Sequence, residues 1–166
     1  MKINIAILGS TGSIGENILD IVRKDKKNLK VVLLTANKNY KKLIQQANEF
    51  KVKNILIYND KYYEFLKVKL KGRKINIFSR KTKLNKIFKK KVDYTICGIS
   101  GLDGLKPTLD VIKFTKTIAS ANKESIICGW YLINKKLKKY NTKFIPIDSE
   151  HYSIWNLTKE YSNHDI

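Results

Sequence analysis

The sequence predicts an α/β fold, a doubly wound and mostly parallel sheet with helices on both faces. Two observations carry this. Apolar runs of strand length alternate with segments of helical period from one end of the chain to the other, and a glycine loop, Gly9-Ser-Thr-Gly-Ser-Ile-Gly15, joins the first strand to the first helix in Rossmann-like fashion. Strict alternation makes the strands parallel, because each returns through a right-handed crossover. Ligands of such sheets collect at the carboxyl ends of the strands.

The elements follow in order. Residues 3–8 form the first strand, and Ile14, Ile18, Ile21 and Val22 then fall on one helix face. Residues 31–36 are the second strand, and Leu43, Ile44, Ala47 and Phe50 stripe the next helix. Residues 55–58 are strand three, 63–70 a helix, 75–78 a short strand and 84–88 a further helix. Residues 94–97 are a strand leading into a second glycine-bearing loop, 98–104. Pro107 marks the first turn of a helix, where its missing N–H costs nothing. Residues 117–120 are a strand, Ile126, Ile127, Trp130, Ile133 and Leu137 stripe the helix after it, and 144–147 are the last strand. The loops at 9–15, 36–39, 98–104, 121–124 and 148–151 all follow strands, so they share one edge of the sheet.

The 166 residues suffice for one buried core. No apolar stretch approaches a membrane span, and the N-terminus has no cleavable leader pattern, which reads as a cytoplasmic protein with no membrane partner. Cys97 and Cys128 are the only cysteines and lack metal or disulfide spacing, so both read as apolar fillers. The formal charge of +20 raises nucleic-acid binding, especially at 67–91, where twelve residues are Lys or Arg and none is acidic. Yet only Arg23, Arg73 and Arg80 are arginines, the residue suited to bidentate phosphate and guanine contacts. Compositional drift toward Lys, Ile and Asn accounts for the charge better than a specific nucleic-acid surface, with weak, salt-sensitive polyanion binding expected either way.

Glycines at 9, 12 and 15 let the backbone approach a pyrophosphate at a helix N-terminus, so the first loop points to a dinucleotide. At the end of strand two, Asn37, Lys38 and Asn39 stand where an NAD site needs a carboxylate; a cation and amides suit the 2′-phosphate of NADP. In Ala121-Asn-Lys-Glu-Ser125, Asn122 reads as an N-cap, and Lys123 opposes the helix dipole unless it faces an anion. Glu124 beside it either orients part of a cofactor or pairs with the Lys. Asp148 and Glu150, two apart on an extended segment, project together and suit a hard cation such as Mg²⁺ or Mn²⁺. The same Asp-Ser pair reads equally well as a helix cap. His151 reads as structural, and His164 carries no signal.

Together LGSTGSIG at 8–15, the stretch 98–109, ANKES at 121–125 and PIDSEH at 146–151 resemble the 1-deoxy-D-xylulose 5-phosphate reductoisomerase family. The resemblance covers essentially the whole chain. It implies an NADPH-dependent oxidoreductase using Mg²⁺, Mn²⁺ or Co²⁺, which rearranges and reduces a sugar phosphate to 2-C-methyl-D-erythritol 4-phosphate for isoprenoid precursors. It implies that Thr11, Gly12, Ser13 and Ile14 meet the NADPH phosphates, and that Asn37, Lys38 and Asn39 meet its 2′-phosphate end, although the family's usual residue at 37 is Gly. Asn122 and Glu124 match cofactor contacts, Lys123 matches a substrate contact, and Ser149 and Glu150 lie near the substrate. Asp148 and Glu150 match metal ligands, and Lys123 and Glu150 are the catalytic candidates. The family's length implies an N-terminal portion, with a cofactor domain at 1–147, the start of a catalytic region at 148–166, no turnover alone, and a homodimer for the full-length enzyme. Rival readings are a stand-alone dinucleotide-binding module and a basic nucleic-acid-binding protein.

Overall fold

The computed structural model describes residues 2–158. Seven strands form one sheet, β1 (Ile3–Leu8), β2 (Leu29–Ala36), β3 (Asn54–Ile57), β4 (Asn76–Ser79), β5 (Val92–Cys97), β6 (Thr115–Ser120) and β7 (Lys143–Pro146). Their order is β4-β3-β2-β1-β5-β6-β7, and every neighbouring pair is parallel. The order reverses between β1 and β5. That is the switch point of a doubly wound sheet, where the loops after two adjacent strands diverge and leave a crevice.

Strand alternation divides the core. Ile5, Ile7, Leu34, Ile55 and Ile57 face α1 (Ser13–Lys24), α2 (Tyr40–Glu49) and α3 (Asp60–Lys69). Ala6, Leu8, Leu33, Leu56, Cys97 and Ile118 face α4 (Leu105–Val111) and α5 (Lys123–Tyr140). Both faces are therefore covered, as near-continuous apolar strands require. Pro146 ends β7 at the sheet's edge, where its lack of an N–H breaks no ladder.

Three expectations need correction. In α1 the buried stripe is Gly15, Leu19 and Val22, while Ile21 is 55% exposed, because it lies about 100° around the helix from that stripe. In α5, Ile126, Ile133 and Leu137 are buried, but Ile127 points to solvent and Trp130 is half-exposed against Phe144. Finally, the helix expected at 84–88 is only a 3₁₀ turn at Leu84–Lys86. Lys83, Lys86 and Lys90 would repel one another along one helix face, and so short a helix has little stability of its own. The β4–β5 crossover instead lays Phe88 on the sheet, stacked against Phe114.

The Lys-rich middle is also partly structural. Lys91 Nζ donates to the Tyr140 carbonyl and to Thr142 Oγ1, bolting the start of β5 to the end of α5. Asn141 closes α5 in the left-handed conformation, one that Asn tolerates. After β7 the chain turns into α6 (Ser149–Thr158), which buries none of its residues. His164 lies outside the described residues.

Candidate functional site

The glycine loop is held from below. Gly9 N–H donates to Thr35 Oγ1 at 2.9 Å and Ser10 N–H to the Thr35 carbonyl at 2.8 Å, so β2 anchors the loop. Ser10 Oγ donates to Gln46 Oε1 at 2.8 Å, and Gln46 Nε2 returns a bond to the Ser10 carbonyl at 2.9 Å. Sequence reasoning missed Ser10, Thr35 and Gln46. The available signal was a glutamine on the apolar face of α2, between Leu43 and Ala47, where a buried amide demands partners.

Each glycine of the loop has its own task. Gly9 adopts φ +80°, and a Cβ there would stand 2.9 Å from the Gly98 carbonyl oxygen. A Cβ at Gly15 would lie 2.5 Å from the Gly9 carbonyl oxygen and closer still to Ser10 Cα, so Gly15 lets α1 pack on the loop. Gly12 is different, because its nearest neighbour to a Cβ is 3.6 Å away, so the fold does not require glycine there. Gly12 is also the N-cap of α1 and supplies no capping side chain. By contrast α2, α3 and α5 begin with Asn39, Asn59 and Asn122, whose side chains accept backbone N–H groups. The first turn of α1, with Ser13 and Ile14, thus keeps its donors for an anion.

Thr11 and Gly12 line a cleft of about 940 Å³ that opens at the switch point. Its walls include Thr35, Asn37 and Tyr58 on one side and Gly98, Ile99 and Leu102 on the other. Burial pushes the Tyr58 phenol above its ordinary value, so it stays neutral. Lys38 and Asn39 are exposed beside the cleft, and Asn39 Oδ1 caps α2 by accepting from Lys42 N–H at 3.2 Å.

Asn122 is 2% exposed, and the protein uses its whole amide. Oδ1 accepts from Ser125 N–H at 2.7 Å; Nδ2 donates to the carbonyls of Ile99 and Gly101. It both caps α5 and latches the 98–101 loop, leaving its side chain no donor to spare. Glu124 is exposed in the first turn of α5.

The last loop departs from the sequence reading. Asp148 and Glu150 do not share an extended segment, because α6 begins at Ser149. Asp148 Oδ1 accepts from His151 N–H at 3.0 Å, which makes it the cap, and the His151 ring Nδ1 lies 2.6 Å from the same oxygen. His151 thus meets Asp148 through both its backbone N–H and its ring. The other oxygen, Asp148 Oδ2, is buried with no partner. An orphaned carboxylate oxygen in this position fits a cation ligand. Glu150 instead pairs with Lys123, Nζ to Oε1 2.9 Å, and accepts from Ser149 Oγ at 2.9 Å. Among the described residues no group of three His, Cys, Asp or Glu side chains could hold a metal. Nor is any helix among them long and apolar enough to cross a membrane.

The parallel sheet, its switch-point cleft and the uncapped α1 define a Rossmann-like α/β domain with its loops on one edge. The family model described as 1-deoxy-D-xylulose 5-phosphate reductoisomerase matches residues 5–129. The protein of that name from Pelagibacter ubique is 59% identical over 155 residues, which are 92% of this chain and 40% of the relative. One from Clostridium novyi is 40% identical over 168 residues, 98% of this chain and 43% of the relative. The Zymomonas mobilis enzyme solved with NADPH superposes with a TM-score of 0.81 at 34% identity, over 91% of this chain and 40% of its own. A reductoisomerase solved with NADPH, fosmidomycin and magnesium gives 0.83 at 34% identity, over 93% of this chain and 38% of its own. The chain belongs to the 1-deoxy-D-xylulose 5-phosphate reductoisomerase family. It spans less than half the length of these relatives.

Proposed function

We propose that this chain binds NADPH across the switch-point cleft and presents Asp148 and Glu150 to a metal-dependent rearrangement and reduction of 1-deoxy-D-xylulose 5-phosphate to 2-C-methyl-D-erythritol 4-phosphate. The observation that carries this is the uncapped start of α1 at Gly12, which opens into a cleft lined in part by the 8–15 and 98–109 motifs that resemble the family. The wall at Gly9 also fits, being a cradle that a Cβ would fill.

Each residue has a role in this reading. Backbone N–H groups of Thr11, Gly12, Ser13 and Ile14 receive the pyrophosphate. Asn37, Lys38 and Asn39 attend the adenosine end and its 2′-phosphate. Asn122 holds the 98–101 loop against α5 and reaches the cofactor through its backbone, and Glu124 contacts the cofactor from the same turn. NADPH, when bound, supplies a hydride. A divalent cation (Mg²⁺, Mn²⁺ or Co²⁺), when bound, supplies Lewis-acid polarisation of the substrate oxygens. Asp148 Oδ2 and Glu150 would hold it, and the donor set needs at least one further ligand. Lys123 and Ser149 hold the sugar phosphate, Lys123 turning from Glu150 to the substrate's anionic oxygens. Residues 1–147 form the cofactor unit, and 148 onward begins the metal and substrate region. The same reading places the protein in the cytoplasm and gives the whole enzyme a homodimeric form.

Calorimetric titration with NADPH and then NADH at fixed moderate salt tests the reading. Saturable binding, tighter for NADPH and lost in Gly12→Asp, is the expected result. Equal weak heats shared with pyrophosphate would overturn it, because they would mean that the lysines merely collect anions. The 166-residue chain, which spans less than half the length of its relatives, should form no 2-C-methyl-D-erythritol 4-phosphate by itself, and measurable product would overturn that part of the reading.

A further inference from the structure

The turn that follows β4 faces the cofactor cleft from the side opposite α1. Arg80, Lys81 and Thr82 line the cleft together with Gly9, Gly12 and Asn37. Lys38, the cation the motif supplies, is exposed and is not one of the lining residues. The cations bordering the cleft are therefore Arg80, Lys81 and Lys106, and Lys106 is already paired with Asp110 at 2.8 Å.

The turn is rigid. Thr82 N–H donates to the Ser79 carbonyl at 3.0 Å, Ser79 N–H to Thr82 Oγ1 at 3.2 Å, and Lys81 N–H to Ser79 Oγ at 3.3 Å. Arg80 is steadied by Asp60, which accepts from its Nη2 at 2.9 Å, and the rest of its donor fork has no partner among the described residues. Lys81 has no ion pair among the described residues. A second hollow of about 390 Å³ shares this wall and is lined by Arg80, Lys81, Lys83, Lys106, Lys113 and Lys136, with Asp110 its one acid. A concave surface so charged raises the local positive potential.

We propose that Arg80 and Lys81 form a second phosphate-reading wall of the cleft. They recognise the 2′-phosphomonoester of the dinucleotide and, with Lys38, set its preference over the dephospho cofactor. This rests on the reading that the cleft binds NADPH. An Arg fork on a fixed turn suits a phosphate dianion better than a mobile Lys, because less freedom is lost on binding. The dephospho cofactor has no charge there to meet, so its affinity should not depend on the pair.

The test titrates NADPH and NADH into the wild-type chain, into Arg80→Ala/Lys81→Ala and into Lys83→Ala/Lys113→Ala. The last removes the same two charges from the neighbouring hollow without touching the cleft wall. The expected result is a loss of about tenfold for NADPH in the first double variant, with NADH nearly unchanged, and no comparable loss in the second. Equal losses for both cofactors, or equal losses in both variants, would overturn the assignment. Wild-type binding that does not distinguish NADPH from NADH would sink the cofactor reading itself, and with it this one. Arg80 is 60% exposed on its side chain, so the substitutions leave the core intact, as unchanged thermal unfolding should confirm.

Discussion

Lys123 Nζ lies 2.9 Å from Glu150 Oε1, so the first residue of α5 is tied to the second residue of α6. The pair joins two loops that the sequence separates by 27 positions but the sheet brings to one edge. It also occupies a carboxylate that the proposed function gives to a metal. Lys123 is held above the usual lysine range by this partner, and Glu150 is drawn down to about 2 by the hydrogen bond from Lys123. Both side chains are about half exposed, so the pair orients groups more than it stabilises the fold.

A first prediction concerns its titration. Glu150 has a folded value below its ordinary one, so the pair's contribution is complete above the ordinary carboxylate range and is lost as pH falls toward about 2. An NMR titration of the Glu150 carboxyl should show that low midpoint, moving up toward the ordinary value in Lys123→Met. A midpoint indifferent to that substitution would show that the pair does not form in solution.

Metal affinity should respond in opposite directions to the two partners. Lys123→Ala releases Glu150 and should tighten Mn²⁺ binding a few-fold, whereas Glu150→Gln and Asp148→Asn should each weaken it. Paramagnetic relaxation of water by Mn²⁺ measures this directly. Weakening in all three variants would count against competition between lysine and metal.

Asn122→Ala should cost about 2–3 kcal/mol in urea unfolding, because it removes an N-cap and strands the Ile99 carbonyl, while the Gly101 carbonyl keeps Gly104 N–H and Ser125 Oγ. Asn122→Asp should recover little of that. It keeps the acceptor for Ser125 N–H but sets a carboxylate against two carbonyl oxygens. Equal stability for Asn122→Asp and wild type would contradict the latch.

The glycine loop separates folding from binding. Gly15→Ala should destabilise by more than about 2 kcal/mol, since its methyl would overlap backbone atoms that cannot move aside. Gly12→Ala should leave the unfolding midpoint near wild type, because a Cβ there meets only ordinary van der Waals contacts, while weakening NADPH by crowding the phosphates' approach. Paired unfolding curves and titrations on the two variants distinguish these effects.

Thiol labelling should count one cysteine in the native chain and two after unfolding. Cys128 is exposed, whereas Cys97 is buried and burial pushes its thiol up to about 11, so almost no thiolate exists near neutrality. Two fast-reacting thiols under native conditions would mean that the β5 end opens readily.

The strand–helix alternation, the shared edge of the five loops and the family likeness were all legible in the chain, because hydrophobic period and glycine spacing are local properties. Local information also sufficed for Asn122 as a cap, and it kept open the option that Asp148 is one. It failed where two segments meet. Ile21 and Ile127 looked inward because they are apolar, yet which stripe of a helix is buried depends on how the helix rolls onto the sheet. The run at 84–88 looked helical until Phe88 was needed as a sheet cover.

By itself, then, the sequence determined the class of fold, the edge where ligands belong and the residue types offered there. The tertiary structure alone decided that Gln46 and Thr35 hold the phosphate loop, that Lys123 spends its charge on Glu150, and that Arg80 borders the cleft while Lys38 stands outside it. The reason is physical. A hydrogen bond or ion pair needs its partners within about 3 Å, and for residues far apart in the chain that distance is set by how helices pack across a twisted sheet.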